Sequence, residues 1–127
     1  MLVAEFLAFL LDDALEDARE RAARSRDTLG FTAVERALGE CRIALDGDIA
    51  AGLSALLRRA REDNRAALAA IRPDRWFWFV REAQIEWIAE VVSVLLLQNR
   101  LPTIVPPGRG AALEAARLAG VLPRRDS

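Results

Sequence analysis

Residues 75–98 read RWFWFVREAQIEWIAEVVSVLLLQ, and no other stretch of similar length in the chain is as apolar. An α-helix turns about 100° per residue, so the apolar side chains of this stretch fall on two faces that cover most of its circumference. The polar seam between them carries Glu82, Glu86, Glu90 and Ser93. A helix that is apolar on nearly all sides is buried on most of them. We therefore predict a central helix, surrounded by the rest of the chain or by a partner subunit.

A membrane span is the first alternative, because about 20 apolar residues suffice to cross a bilayer. However, Arg81 and the three glutamates lie in the middle of the stretch, where charges are costly in lipid. The N-terminal sequence MLVAEFLAFLL is apolar but has no basic residues before it and no small-residue cleavage site, so we do not interpret it as a signal peptide. We expect a protein with no membrane span, located in the cytoplasm, where a single cysteine stays reduced.

Leucine and alanine dominate the rest of the chain, and β-branched residues are scarce there, which favours helix throughout. The sequence predicts an all-α fold: a four-helix-type bundle, an extended Pro/Gly-rich strap at 101–110 and a short C-terminal helix at 111–119. A chain of 127 residues is long enough to bury one core. We therefore expect a single helical domain over residues 1–122 and a disordered tail over 123–127.

Three helices are predicted ahead of the central one, at 2–24, 33–45 and 49–71. Thr32 and Glu35 match a capping box, in which each side chain bonds to the other residue's amide, so the second helix is expected to start after them. The core-facing side chains expected from these helices are Val3, Phe6, Leu7, Leu10, Leu11, Ala14, Ala18, Val34, Leu38, Cys41, Leu45, Ile49, Leu53, Leu56, Leu57, Ala60, Ala67, Leu68 and Ile71.

The break between the second and third predicted helices is an Asp-Gly-Asp sequence that ends at Asp48, the expected N-cap of the third. Because the apolar spacing continues through this break, a single kinked helix over 33–71 is the alternative. Pro73 ends the third helix, since the residue before a proline resists helical geometry. Asp74 then stands where it can cap the central helix.

A stripe of arginines on the third predicted helix faces the glutamate seam of the central one. Because the turn around Pro73 is short, these two helices are expected to pack antiparallel as a hairpin. The residue numbers of the possible Arg–Glu pairs then add up to nearly the same value, as antiparallel packing requires. We predict a ladder of ion pairs that fixes the register of the hairpin. Its predicted pairs are Arg65 with Glu82, Arg61 with Glu86 and Arg58 with Glu90.

The residue types that are missing restrict the chemistry. The chain has no His, no Tyr and no Lys, so all 18 of its basic residues are Arg. This usage, with the high alanine content, indicates a GC-rich genome, such as that of a prokaryote or a phage. Without His there is no Ser-His or Cys-His pair, and without Lys there is no Schiff base. The single Cys41 excludes an intramolecular disulfide, and its position on an apolar seam is typical of a small core residue.

The glutamate seam is also a weak candidate metal site. Glu82, Glu86 and Glu90 present carboxylates on one helix face, and carboxylates suit Mg²⁺ or Mn²⁺. A carboxylate- and Mg-dependent all-α enzyme acting on a phosphorylated small molecule is therefore an alternative function. Nucleotide pyrophosphohydrolases of the MazG type carry an ExxE pair followed by an ExxD pair. No ExxE occurs in this chain, so we identify no family, no cofactor and no catalytic residue.

Arginine-mediated nucleic-acid binding is a second alternative. Its candidate residues are Arg58, Arg61, Arg65, Arg72, Arg100, Arg109, Arg117, Arg124 and Arg125. Binding to nucleic acid is governed by positive charge, whereas the formal net charge of the chain is −1. A ladder of Arg–Glu pairs would also neutralise the first part of this set. We therefore expect nucleic acid to be the less favoured partner.

The favoured interpretation is a non-enzymatic interaction or assembly protein, either a self-associating subunit or a docking partner of a larger complex. The N-terminal and central helices offer apolar surface on more sides than a small bundle can cover. Aromatic side chains anchor interfaces as readily as they fill cores or line ligand pockets, and those other two roles remain alternatives. The predicted interface residues are Trp76, Trp87, Val91, Val94, Phe6 and Phe9.

Overall fold

A computed structural model of the protein describes residues 3–97 and 110–118. Within these residues the fold consists of helices without strands, which confirms the all-α prediction. The predicted disordered tail and nearly all of the predicted strap lie outside the described residues. The helices are α1 (Val3–Ser25), α2 (Thr28–Ala44), α3 (Ile49–Ala69), α4 (Arg75–Leu97) and α5 (Ala111–Leu118).

The start of α2 differs from the prediction. Asp27 is its N-cap, and the Asp27 carboxylate accepts a hydrogen bond from the Gly30 amide at 2.8 Å. Thr32 lies inside the helix, where its hydroxyl donates to the Thr28 carbonyl at 2.8 Å. The predicted capping box is therefore wrong: an aspartate, the stronger N-cap, stands upstream and starts the helix more than one turn earlier.

The break between α2 and α3 confirms the prediction of two helices. Asp48 is the N-cap of α3, and its carboxylate accepts from the Ala51 amide at 3.1 Å. The alternative of a single kinked helix is thereby excluded. Asp74 does precede α4, but its carboxylate accepts from the guanidinium of Arg72 and the indole N–H of Trp78.

Helix α4 packs against α2 and α3, and α1 packs against α2 and α5. The core is the one expected from the apolar seams, with three exceptions. Leu68 and Ile71 of the third predicted helix, and Leu96 on the broad apolar face of the central one, are 60%, 78% and 51% exposed. The three exceptions lie at or beyond helix ends, where the periodic pattern continues but the packing partner does not. Among the described residues, no helix has the length and apolar character that crossing a membrane requires.

The carboxylate of Asp13 links α5 to α1 through hydrogen bonds. Asp13 on α1 accepts hydrogen bonds from the amides of Ala112 and Leu113, at 2.8 and 3.2 Å, and from that of Gly110 at 3.3 Å. The first amides of a helix lack intrahelical partners, so Asp13 caps α5 from a neighbouring helix. Asp13 therefore has a structural role.

Candidate protein-binding surface

An open groove lined by aromatic and aliphatic side chains lies beside the turn between α3 and α4. The cavity has a volume of about 300 Å³, and we call it the aromatic groove; it is lined by Asn64, Leu68, Arg75, Trp76 and Phe79. The rings of Trp76 and Phe79 are stacked, with centroids 5.7 Å apart and planes at 21°. Trp76, Phe79 and Leu68 are 38%, 43% and 60% exposed. Exposed aromatic rings around a cavity are typical of a binding surface.

The groove belongs to a longer exposed surface along the α3–α4 hairpin. A second shallow cavity of about 200 Å³ lies on the same side of the hairpin, far from the turn, between Ser54 and Ser93. Helical periodicity places the exposed Arg61 on α3 and the half-buried Glu82 on α4 between the two cavities. We call this surface the outer side of the hairpin, and the side that faces α2 the inner side.

Trp76, at the rim of the groove, is hydrogen-bonded to Asp27, the N-cap residue of α2. Its indole N–H donates to Oδ2 of Asp27 at 3.1 Å, while the other carboxylate oxygen of Asp27 caps α2. One aspartate therefore fixes the start of α2 and the orientation of the exposed ring. The sequence pattern gave no signal of this bond, because Asp27 and Trp76 are far apart in the chain.

The turn that begins at the groove contains a strained residue. Ile71 has φ +51°, a left-handed conformation that β-branched residues rarely adopt. The amides of Ile71 and Arg72 donate to the carbonyls of Leu68 and Ala67, both at 3.1 Å, which is the Schellman pattern that closes a helix. Glycine usually occupies this position. Here an isoleucine, 78% exposed, occupies it instead.

The structure divides the predicted interface residues into two groups. Phe6, Trp87 and Val91 are at most 2% exposed within this single chain, so they are core residues and not interface residues. The prediction failed for them because packing within this one chain buries α1 and α4 more completely than a small bundle was expected to. Trp76 and Phe9, at 38% and 53%, do reach the surface, while Val94 is half-buried.

The predicted ion-pair ladder is not formed. Within the part of the chain that the structure describes, no ion pair joins Arg58, Arg61 or Arg65 to the glutamate seam. The three arginines are exposed, since α3 turns its small and leucine side chains toward the core and leaves them on the solvent side. Exposed ion pairs contribute only about 0–1 kcal/mol each, too little to set the rotation of a helix against apolar packing.

Instead, the inner side of the hairpin carries an ionic network around the buried Arg81, which is 2% exposed. Its guanidinium donates to both carboxylate oxygens of Glu40 on α2, at 2.7 and 2.9 Å, and to Asp63 on α3 at 2.8 Å. The hydrogen bonds that Arg81 donates to Glu40 raise the pKa of Arg81, although burial opposes this effect. Arg36 lies 3.6 Å from the same Glu40 carboxylate. Arg81 thus joins three helices at one point.

The indole ring of Trp78 packs against the guanidinium groups of this network. The guanidinium carbons of Arg36, Arg72 and Arg81 lie 5.4, 5.4 and 5.6 Å from its ring centroids, within the range of cation–π contact. The charges of the network are balanced by carboxylates, so the inner side has no excess charge to attract a ligand. Sequence reasoning missed this network, although an arginine inside the most apolar helix was a visible signal of it.

Several groups that could carry chemistry are engaged or buried. Burial, followed by the neighbouring Glu40 charge, raises the pKa of Cys41 from 9.0 to about 12, so the thiol stays protonated. On α1, Asp12 pairs with Arg42, and Asp17 pairs with Arg21 at 3.1 Å. Among the residues described, no group of three or more His, Cys, Asp or Glu side chains is placed to hold a metal ion.

Comparison with protein-family models, with curated proteins and with solved structures finds no match to this chain.

Proposed function

We propose that this protein is a non-enzymatic helical interaction or assembly protein, either a self-associating subunit or a docking partner of a larger complex. The proposal treats α1 to α4 as a four-helix-type bundle that works in a reducing compartment such as the cytoplasm, where Cys41 remains a thiol. Its contact surface is the outer side of the α3–α4 hairpin.

The observation that carries the proposal is the exposure of Leu68, Trp76 and Phe79 around one groove. A chain that buries Trp87 and Phe6 almost completely is able to cover large apolar side chains. Leaving two stacked rings and a leucine in water gives up part of the free energy that burial of apolar area supplies. The strained, exposed Ile71 three residues after Leu68 is a second feature of the same region, and strain of this kind clusters at functional sites.

The test compares the native size of the protein, in extracts of the cells that produce it, with the 14.0 kDa mass of the chain. We expect the wild-type protein in a larger complex and the double variant Leu68→Ser with Phe79→Ser at the mass of the monomer. Ile43→Ser is the matched control, because Ile43 is 73% exposed but lies outside the groove. A wild-type protein that is monomeric in the extract contradicts the proposal.

Nucleic-acid binding is the second candidate, favoured by the exposure of Arg58, Arg61 and Arg65 without carboxylate partners among the described residues. If these arginines bind phosphates, retention on DNA falls steeply as the salt concentration rises. The combined variant Arg58→Glu with Arg65→Glu then abolishes both the retention and its salt dependence. Retention that this variant leaves unchanged rules out the arginine stripe as the nucleic-acid site.

A further inference from the structure

We infer that the outer side of the α3–α4 hairpin binds a second copy of this chain, around a two-fold axis parallel to the helices. This inference rests on the proposed function and names its partner. It starts from the distribution of charge on the outer side. The α3 edge carries Arg58 and Arg61, and the α4 edge carries Glu82 and Glu90. Within the described residues none of these four side chains has an ion pair.

The internal register of the hairpin determines which residues stand level with each other. Arg81 on α4 contacts Asp63 on α3 at 2.8 Å. Because the two helices run antiparallel, Arg61 stands level with Glu82, on the opposite edge of the same surface. The two side chains are level, but within the described residues no ion pair joins them.

A two-fold axis parallel to the helices brings these edges together. It places α3 of one copy over α4 of the other and keeps residues at the same height, so Arg61 meets Glu82 of the second copy. The contact occurs twice, as in any isologous interface. A two-fold axis perpendicular to the helices would instead set arginines against arginines and glutamates against glutamates. Like charges set against each other disfavour an interface, so charge complementarity selects the parallel axis.

The apolar groups are compatible with the same arrangement. Leu68 and the turn-end rings of Trp76 and Phe79 lie near one height of the hairpin, since all three line the same groove. The parallel two-fold therefore brings Leu68 of each copy over the aromatic groove of the other. The interface is apolar near the turn, where the aromatic groove lies, and charged further along the helices. Such interfaces combine a hydrophobic anchor with polar contacts that fix the relative position of the two partners.

The test measures the mass of the purified full-length chain across a dilution series for two charge variants. Variant A carries Arg58→Glu with Arg61→Glu, and variant B carries Glu82→Arg with Glu90→Arg. We expect a wild-type dimer of twice 14.0 kDa. Each variant alone sets like charges against each other, so its dissociation constant is expected to rise at least about tenfold.

The decisive measurement is the mixture of variants A and B. In the parallel arrangement, both edges of A are acidic and both edges of B are basic, so the two monomeric variants form a heterodimer. Combining all four substitutions in one chain restores the homodimer as well, with reversed charges. Because these positions are at the surface, each variant is expected to keep the helical circular dichroism spectrum of wild type. The recovery of association in the mixture also demonstrates that both variants are folded.

Three results overturn the inference, and they differ in what they say about the proposed function. A purified wild-type chain that is monomeric throughout, yet part of a larger complex in the extract, excludes the second copy and leaves the interaction role standing. A monomer in both settings excludes both. A wild-type dimer that variants A and B leave intact, or that variant A tightens, excludes the parallel two-fold arrangement.

Discussion

The two sides of the α3–α4 hairpin use the same residue types in opposite ways. On the inner side, Arg81 is buried and bonds to carboxylates from two other helices, and an aromatic ring stacks beneath it. On the outer side, Arg61 and the stacked rings of Trp76 and Phe79 face solvent. The difference indicates that the inner side is completed within one chain, whereas the outer side offers charges and apolar area that remain available to a partner.

The largest expected effect concerns the inner side. Arg81→Met leaves Glu40 and Asp63 without their shared guanidinium. Removing one partner of a buried ion pair costs about 3–5 kcal/mol of unfolding free energy. We expect the lower end of that range, because the side chains of Glu40 and Asp63 are 24% and 48% exposed and water can rehydrate them. Chemical unfolding monitored by tryptophan fluorescence and helical circular dichroism measures the loss.

Arg61→Met is the matched control for the outer side. Its side chain is exposed, and no ion pair within the described residues depends on it. At concentrations low enough for the chain to be monomeric, the unfolding free energy is expected to change by at most about 0.5 kcal/mol. Equal losses from Arg81→Met and Arg61→Met would remove the distinction between the two sides. Arg81→Lys sharpens the comparison, since it keeps the charge but loses the bidentate geometry and is expected to fall between the two.

The second prediction uses the pH dependence of stability to test how well the inner side excludes water. Cys41 is buried next to Glu40 in the sequence of α2. Its burial, followed by the Glu40 charge, raises its pKa from 9.0 to about 12 in the folded chain. Between these values the folded state keeps a proton that the unfolded state releases. Raising the pH therefore favours unfolding, and stability is expected to fall by about 1.4 kcal/mol per pH unit above pH 9. Urea unfolding at a series of pH values measures this slope.

The composition makes this measurement unusually clean. The chain has no Tyr, no His and no Lys, so Cys41 is the one side chain whose ordinary pKa falls in the alkaline window. The terminal amine titrates lower, near pH 8, and arginine higher. Cys41→Ala is expected to make the stability nearly independent of pH between 9 and 11. A slope that persists in this variant would show that the thiol is not its source.

The sequence was sufficient to predict the helices and most of the core residues, because apolar periodicity is a property of neighbouring positions in the chain. The break at Asp48 was predictable for the same reason, since a cap acts on amides two or three residues away. The start of α2 was not: Asp27 and Thr32 were both plausible caps, and the contact of Asp27 with Trp76 comes from elsewhere in the chain. Local rules rank such candidates but do not include tertiary partners.

The candidate surface shows the limit of periodicity more clearly. The pattern predicted that the arginines of α3 face and pair with the glutamates of α4, whereas the structure leaves Arg58, Arg61 and Arg65 exposed, without an ion pair among the described residues. The pattern did not give the rotation of each helix, which the apolar contacts decide. The rotation of α3 and α4 about their own axes decides whether the arginines of α3 reach the glutamates of α4 or remain exposed to solvent. The same ambiguity made Trp87 a predicted interface residue, although it is 2% exposed.

The smallest expected effect concerns the strained turn on the outer side. Ile71→Gly places the residue that usually closes a helix at φ +51°. Relief of the left-handed strain, about 1–2 kcal/mol, is partly offset by the greater freedom of glycine in the unfolded chain. Because the isoleucine side chain is 78% exposed, little burial is lost. We expect a net gain of about 0.5–1 kcal/mol in unfolding free energy, measured by urea unfolding.

Ile43→Gly is the control of opposite sign, because Ile43 is similarly exposed, at 73%, but lies within α2. Glycine in an ordinary helical position costs about 0.5–1 kcal/mol. If both substitutions destabilise the protein, the turn at Ile71 is not strained, and it gives no support to the outer side as a functional surface. If Ile71→Gly stabilises the monomer and also weakens its self-association, the strain is retained because it presents an apolar side chain to the second copy.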